Sequence, residues 1–282
     1  EIKLVVADYG QTNTGATDNR YDTAIFLEAG SLPEFLSASE SSFASLFPAK
    51  SNLYLLLILL TFIGGFIALI FVIKYIHKQT LTQLTTSRKK IDWGRFFFGF
   101  GLIATLSIVT TVLDFYSNPE NYVVQFELIS ILIMLVIVVT LIPIQTSFEE
   151  YLFRGHMMQG IGLVTNSRLI PLVVTSVLFG LMHIANPEVG KIGYIIMVFY
   201  IGTGFFLGII TLMDEGLELA LGFHAANNLI GALLVTADWT AFQTHSVLKD
   251  ISEPTTGFDI LFPVLVIFPI MLFIFAKVYK SN

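Results

Sequence analysis

After about residue 50 the chain alternates between long apolar runs and short polar connections. The runs near 52–74, 96–113, 123–142, 144–163, 169–186, 192–212, 217–236 and 258–277 approach the length needed to cross about 30 Å of hydrocarbon, the shorter ones with tilt or local thinning. This pattern predicts an all-α polytopic membrane protein with about eight transmembrane helices in one bundle spanning residues 51–282. Residues 1–50 are polar and form a separate extramembrane segment. Within it, Ser31-Leu32-Pro33-Glu34 reads as a helix start. Phe35, Phe43 and Phe47 follow at helical spacing, as in a short amphipathic helix on a membrane surface or packed on the protein.

Composition agrees with the pattern. Hydrophobic residues make up 55% and charged residues only 13% of the 282, against about 25% charged in soluble domains. There is no cysteine, which excludes disulfide and thiolate chemistry, and the net charge of −6 offers no basic surface for nucleic acid. The chain starts at Glu1 rather than Met, as expected of a processed or incomplete polypeptide. Lys74, Lys78, Arg88, Lys89, Lys90 and Arg95 crowd one loop, which the positive-inside rule places in the cytoplasm. Counting eight spans from there, with a break at Pro143, puts the N-terminal segment outside. It also puts Lys277 and Lys280 outside, a mild violation of the same rule.

Four polar fragments interrupt the apolar pattern: Glu149-Glu150-Tyr151-Leu152-Phe153-Arg154, Phe179 to His183, His224 and Asn228. Ionisable side chains within membrane spans cost roughly 2.5–3.5 kcal/mol each on insertion scales, so they face partners or a wet cavity. Glu149 lies fourteen residues before Leu163, and His183 fourteen after Leu169. With a tight turn at Val164–Arg168, an antiparallel hairpin sets both side chains at the same depth, about 21 Å from the turn. Neighbouring glutamates on a helix point about 100° apart. Glu150 can therefore pair with Arg154 one turn on, as a structural brace, while Glu149 faces the cavity and serves as a general base toward water. His224 and Asn228 share a helix face, either as donors to a developing oxyanion or as a polar clamp between helices. Asn227 points off that face, and His156 reads as lining the cavity mouth or the lipid boundary. Glu127 sits near the outer end of its span, and Asp114, Asp214 and Glu215 read as solvated turn residues. Gly202, Gly204 and Gly208 suit close helix packing.

Glu149-Glu150-x-x-x-Arg154, Phe179-x-x-x-His183 and His224-x-x-x-Asn228, in this order on predicted membrane helices, resemble the three motifs of the CPBP (Abi) intramembrane protease family. That family includes type II CAAX prenyl proteases and bacteriocin-processing or immunity proteins. The resemblance covers roughly residues 50–280 and implies a hydrolytic site inside the bilayer near the cytoplasmic face of a bacterial cell membrane. It implies that Glu149 and His183 activate water while His224 and Asn228 stabilise the oxyanion, with Glu150 and Arg154 in support. His224 and Asn228 are tied to the hairpin by this resemblance alone. A glutamate mechanism needing no cofactor is expected, and zinc held by Glu149, His183 and His224 is the alternative, although the H-E-x-x-H arrangement is absent.

The partners this implies are membrane lipids, a membrane-associated peptide or protein substrate, and other membrane proteins if the chain works in a complex. Two other functions compete with the endopeptidase: a non-catalytic membrane scaffold or immunity-type subunit, and a small-solute transporter. The transporter predicts interrupted helices at matching places in two halves, whereas only one charged hairpin is visible.

Overall fold

The computed structural model describes residues 52–254 and 257–279, so the expected amphipathic helix at 31–47 lies outside the described residues. Among the described residues five helices are long and apolar enough to cross a membrane: α1 (Asn52–Ile76), α3 (Trp93–Ser117), α4 (Leu128–Thr165), α7 (Ile196–Asp214) and α9 (Phe258–Tyr279). The shorter α5 (Leu169–Leu181) and α8 (Glu218–Leu234) run between the same two faces. The small helices α2 (Leu81–Thr85) and α6 (Pro187–Ile192) lie in the connections. Helix is the expected form, because lipid offers no partner to an open backbone group. Ile67, Phe97, Ile129 and Phe273 remain exposed on the long helices, as a lipid-facing surface requires.

The main departure from expectation is at Pro143. The third and fourth predicted spans are one continuous helix of 38 residues, with Pro143 inside it. A proline removes one backbone donor, which a long membrane helix tolerates more readily than the many open groups of a lipid-exposed loop. Among the described residues the bundle therefore has seven main helices rather than eight, and every later segment changes sides relative to the eight-span count. Thr86 pairs with Gly216, Leu217 N donates to Thr85 O at 2.8 Å, and Gln159 Nε2 donates to Leu84 O at 3.2 Å. The Asn166–Arg168 turn, the 215–217 turn and the basic loop thus share one face. Arg95 sits over the Tyr279 ring at 4.0 Å, which brings the end of α9 to that face too. Lys277 now lies on the basic side, and the violation disappears.

The opposite face carries a small sheet. Strand β1 (Tyr122–Val124) pairs antiparallel with β3 (Leu248–Asp250), which pairs parallel with β2 (Val235–Thr236). Ala241 N donates to Glu188 Oε1 at 2.9 Å, and Asn52 Nδ2 to Ser130 O at 3.0 Å, tying the remaining connections of this face together.

Close backbone contact holds the bundle where the site lies. A Cβ on Gly222 of α8 would stand 2.1 Å from Phe96 O of α3, and one on Gly99 would stand 2.8 Å from Leu219 O. Between α5 and α7, a Cβ on Gly204 would stand 2.5 Å from Ser176 O, the packing use foreseen for that glycine. Gly222→Val should push α8 off α3 and cost about 3 kcal/mol, the upper range for overpacking, because the obstacle is backbone. A thermal midpoint in detergent equal to that of the parent would contradict this packing.

Aspartate 214 also departs from expectation. It is buried rather than solvated, bonded to Arg95 and 2.9 Å from Arg88, whose other arm reaches the fully buried Glu218 at 3.2 Å. This cluster pins the basic loop to the α7–α8 turn.

Candidate active site

The site forms where α4, α5 and α8 meet. α4 changes from α to π winding over Tyr151–Met157, within the first motif. Such π turns are uncommon and recur at functional sites. Glu150 precedes this turn and Arg154 lies in it; both are fully buried, and Arg154 Nη1 donates to Glu150 Oε1 at 3.0 Å. Arg154 Nη2 donates to Gly204 O of α7 at 3.1 Å, and the guanidinium carbon sits 4.2 Å over the Phe179 ring. The low dielectric makes an unpaired charge costly here, and the pair compensates both charges at once.

Glu150 does more than brace its own helix. Its Oε1 lies 2.7 Å from His224 Nδ1. An ionised carboxylate only accepts, so Nδ1 carries the proton and Nε2 is turned away from Glu150. His224 Nε2 faces Glu149 Oε2 at 3.4 Å. The two adjacent glutamates thus flank opposite edges of one imidazole, and Glu150 alone is hydrogen-bonded to it. The expected structural brace thus also orients His224.

The Glu149 side chain is 13% exposed and borders a cavity of about 510 Å³ that His183 and Asn228 also line. Its Oε1 accepts from Gln145 Nε2 at 2.8 Å, while its Oε2 has no hydrogen-bond partner. Gln145 in turn accepts from Asn228 Nδ2 at 3.3 Å, so one amide links the first and third motifs. His183 follows α5, and its Nδ1 lies 2.9 Å from Phe179 O, which leaves Nε2 for the cavity. Its ring stacks on Tyr200 at 4.4 Å. A second cavity of about 370 Å³, largely apolar, touches His183, His224 and Asn228 from the α3, α7 and α9 side.

The structure therefore brings Glu149, Glu150, Arg154, His183, His224 and Asn228 together. It leaves His156 elsewhere, its ring 5.0 Å from that of His77, and sets Glu127 3.6 Å from His245. Asn227 borders both cavities from an exposed position. Sequence reasoning passed over Gln145, Tyr200 and the role of Phe179. Gln145 had a signal, a polar residue one turn before Glu149 on the same face. Tyr200 had none, because its contact with His183 joins two helices. Glu188 also lines the larger cavity, and burial pushes its carboxyl above the ordinary range.

The zinc alternative fits poorly. The Nδ1 bonds of His224 to Glu150 and of His183 to Phe179 O leave both Nε2 atoms free, as in metal-binding histidines, but among the described residues no three His, Cys, Asp or Glu side chains converge as metal ligands. Glu149, His183 and His224 border common space without forming that set.

A helical membrane bundle enclosing a carboxylate, two imidazoles and an amide defines the class of an intramembrane site. Residues 127–230 match the family model described as type II CAAX prenyl endopeptidase Rce1-like, and this segment holds all three motifs. The resemblance read from those motifs thus coincides with the segment that the family model matches. The chain is also similar to the uncharacterized protein YyaK of Bacillus subtilis (strain 168), with 33% identity over 165 residues, 58% of this chain and 55% of that protein. The chain spans about half the length of this curated relative. No solved structure matches.

Proposed function

We propose that the protein is an intramembrane endopeptidase that hydrolyses peptide bonds of membrane-associated polypeptides with a water activated by Glu149. The observation that carries this reading is the placement of the Glu149 carboxylate, held on Oε1 by Gln145, left without a hydrogen-bond partner on Oε2, and bordering a cavity shared with His183 and Asn228. A water between Glu149 and His183 Nε2 gives its proton to the carboxylate as its oxygen attacks the scissile carbonyl carbon. The carbonyl π electrons move to oxygen, and the oxyanion is met by Asn228 Nδ2–H and His224 Nε2–H. Donation from Nε2 while Nδ1–H is bound to Glu150 requires the imidazolium, and the Glu150 carboxylate stabilises that charge. On collapse the C–N bond breaks, and the proton held by Glu149 passes to the leaving amine. Glu149 and Glu150 thus divide the work: one handles the proton, the other supports the charged imidazole. The mechanism needs no metal.

The test is to reconstitute the protein in liposomes with membrane-anchored peptides and read new termini by mass spectrometry. Cleavage in the presence of chelators is expected, with Asn228→Ala slower by about 10²–10³-fold, the cost of losing one oxyanion donor. His183→Ala should fall with it. Cleavage at the parental rate in both variants would remove this machinery from the reaction. Restoration of chelated protein by zinc alone would reinstate the metal alternative.

A further inference from the structure

The seven-helix path decides which face the cavity opens on. Among the described residues Lys74, Lys78, Arg88, Lys89, Lys90, Arg95, Arg168 and Lys277 lie at or near one face, Lys191 and Lys249 lie on the other, and Arg154 is buried between them. Cytoplasmic connections carry the excess of Lys and Arg, counted over short loops and the ends of spans, which are the loops compared here. The Glu149 cavity belongs to the other face. Besides Glu149 and His183 it is lined by Asn186, Glu188, Thr240 and Phe242, all from connections on the sheet side. His183 lies fourteen residues after Leu169, about 21 Å from the basic face by helical rise, in hydrocarbon about 30 Å thick. That depth is closer to the sheet side. The family resemblance implies a site near the cytoplasmic face, and the eight-span count agreed with it only through a break at Pro143 that the continuous α4 removes.

We infer that the Glu149 cavity opens to the extracytoplasmic side, so that its substrate is an outward-facing segment of a membrane-associated polypeptide. No Lys or Arg lines the cavity, whereas Glu149 and Glu188 do, and Glu188 Oε2 has no hydrogen-bond partner. The segment it takes is neutral or cationic, since a carboxylate entering beside these two would be repelled without a compensating cation. The orientation stands on charge distribution and topology; the substrate rests on the endopeptidase reading.

The absence of cysteine from the chain makes the test direct. Glu253→Cys places a thiol on the sheet face, where the parent side chain is 87% exposed, and Ser87→Cys places one at an exposed position of the basic loop. In intact cells a membrane-impermeant maleimide should label Glu253→Cys and leave Ser87→Cys unlabelled until the membrane is permeabilised. The reverse pattern, or equal labelling of both, overturns the orientation. Vesicles of uniform orientation, checked by the same labels, are then given a membrane-anchored peptide from one side only. Cleavage confined to the Glu253 side supports the substrate assignment, and cleavage confined to the Ser87 side overturns it. Labelling as expected with no cleavage from either side overturns the endopeptidase reading while leaving the orientation in place.

Discussion

Glu149→Gln should fold like the parent and lose peptide hydrolysis by about 10²–10⁴-fold, the usual contribution of a positioned general base. The substitution keeps size and planarity, so Gln145 retains a partner and the cavity keeps its shape. What it removes is the capacity to take a proton from water. Glu149 is also the more exposed of the two glutamates, 13% against a fully buried Glu150, so its loss of charge disturbs packing least. The measurement is the rate of new terminus formation in liposomes, normalised to folded protein. Cleavage within a few-fold of the parent would end the role of Glu149 as base, whatever became of the other residues.

Arg154→Met should produce the largest loss of stability, about 3–5 kcal/mol, because it leaves Glu150 as a buried charge without its cation. Methionine fills much of the volume but supplies neither the bond to Glu150 nor the bond to Gly204 O. Glu150 would keep only His224 Nδ1. Adding Glu150→Gln should recover part of the loss, since the double variant no longer buries an unpaired charge. The comparison is made by thermal or denaturant unfolding in detergent, with activity read separately. If the single variant is as stable as the parent, or the double variant is less stable than the sum of the singles, charge compensation is not what this pair supplies.

Much of the site was legible because helical rise and periodicity are local rules. Equal spacing of Glu149 and His183 from one turn placed them at one depth without reference to other helices. Both line the same cavity, and Asn166 closes the turn between their helices in the left-handed conformation. The i,i+4 spacing of Glu150 and Arg154 likewise predicted an ion pair, observed at 3.0 Å. The break at Pro143 was misread because the rule that proline stops helices comes from water. In lipid, ending the helix leaves more backbone groups open than keeping it. One wrong break reversed the side of every later segment.

The sequence by itself determined the helical membrane class, the polar residues that had to be sheltered, and the pairs that helical spacing brings together, because each follows from contacts a few residues apart. Only the tertiary structure decided that Glu150 reaches His224, that Gln145 links Glu149 to Asn228, and that Tyr200 stacks on His183. Those contacts join residues on different helices, and their existence depends on how α4, α5, α7 and α8 pack. Packing is set by backbone approach at Gly204 and Gly222 and by which face each helix turns inward. Apolar helices in lipid can bury any of several faces at similar cost, so composition alone does not choose among them.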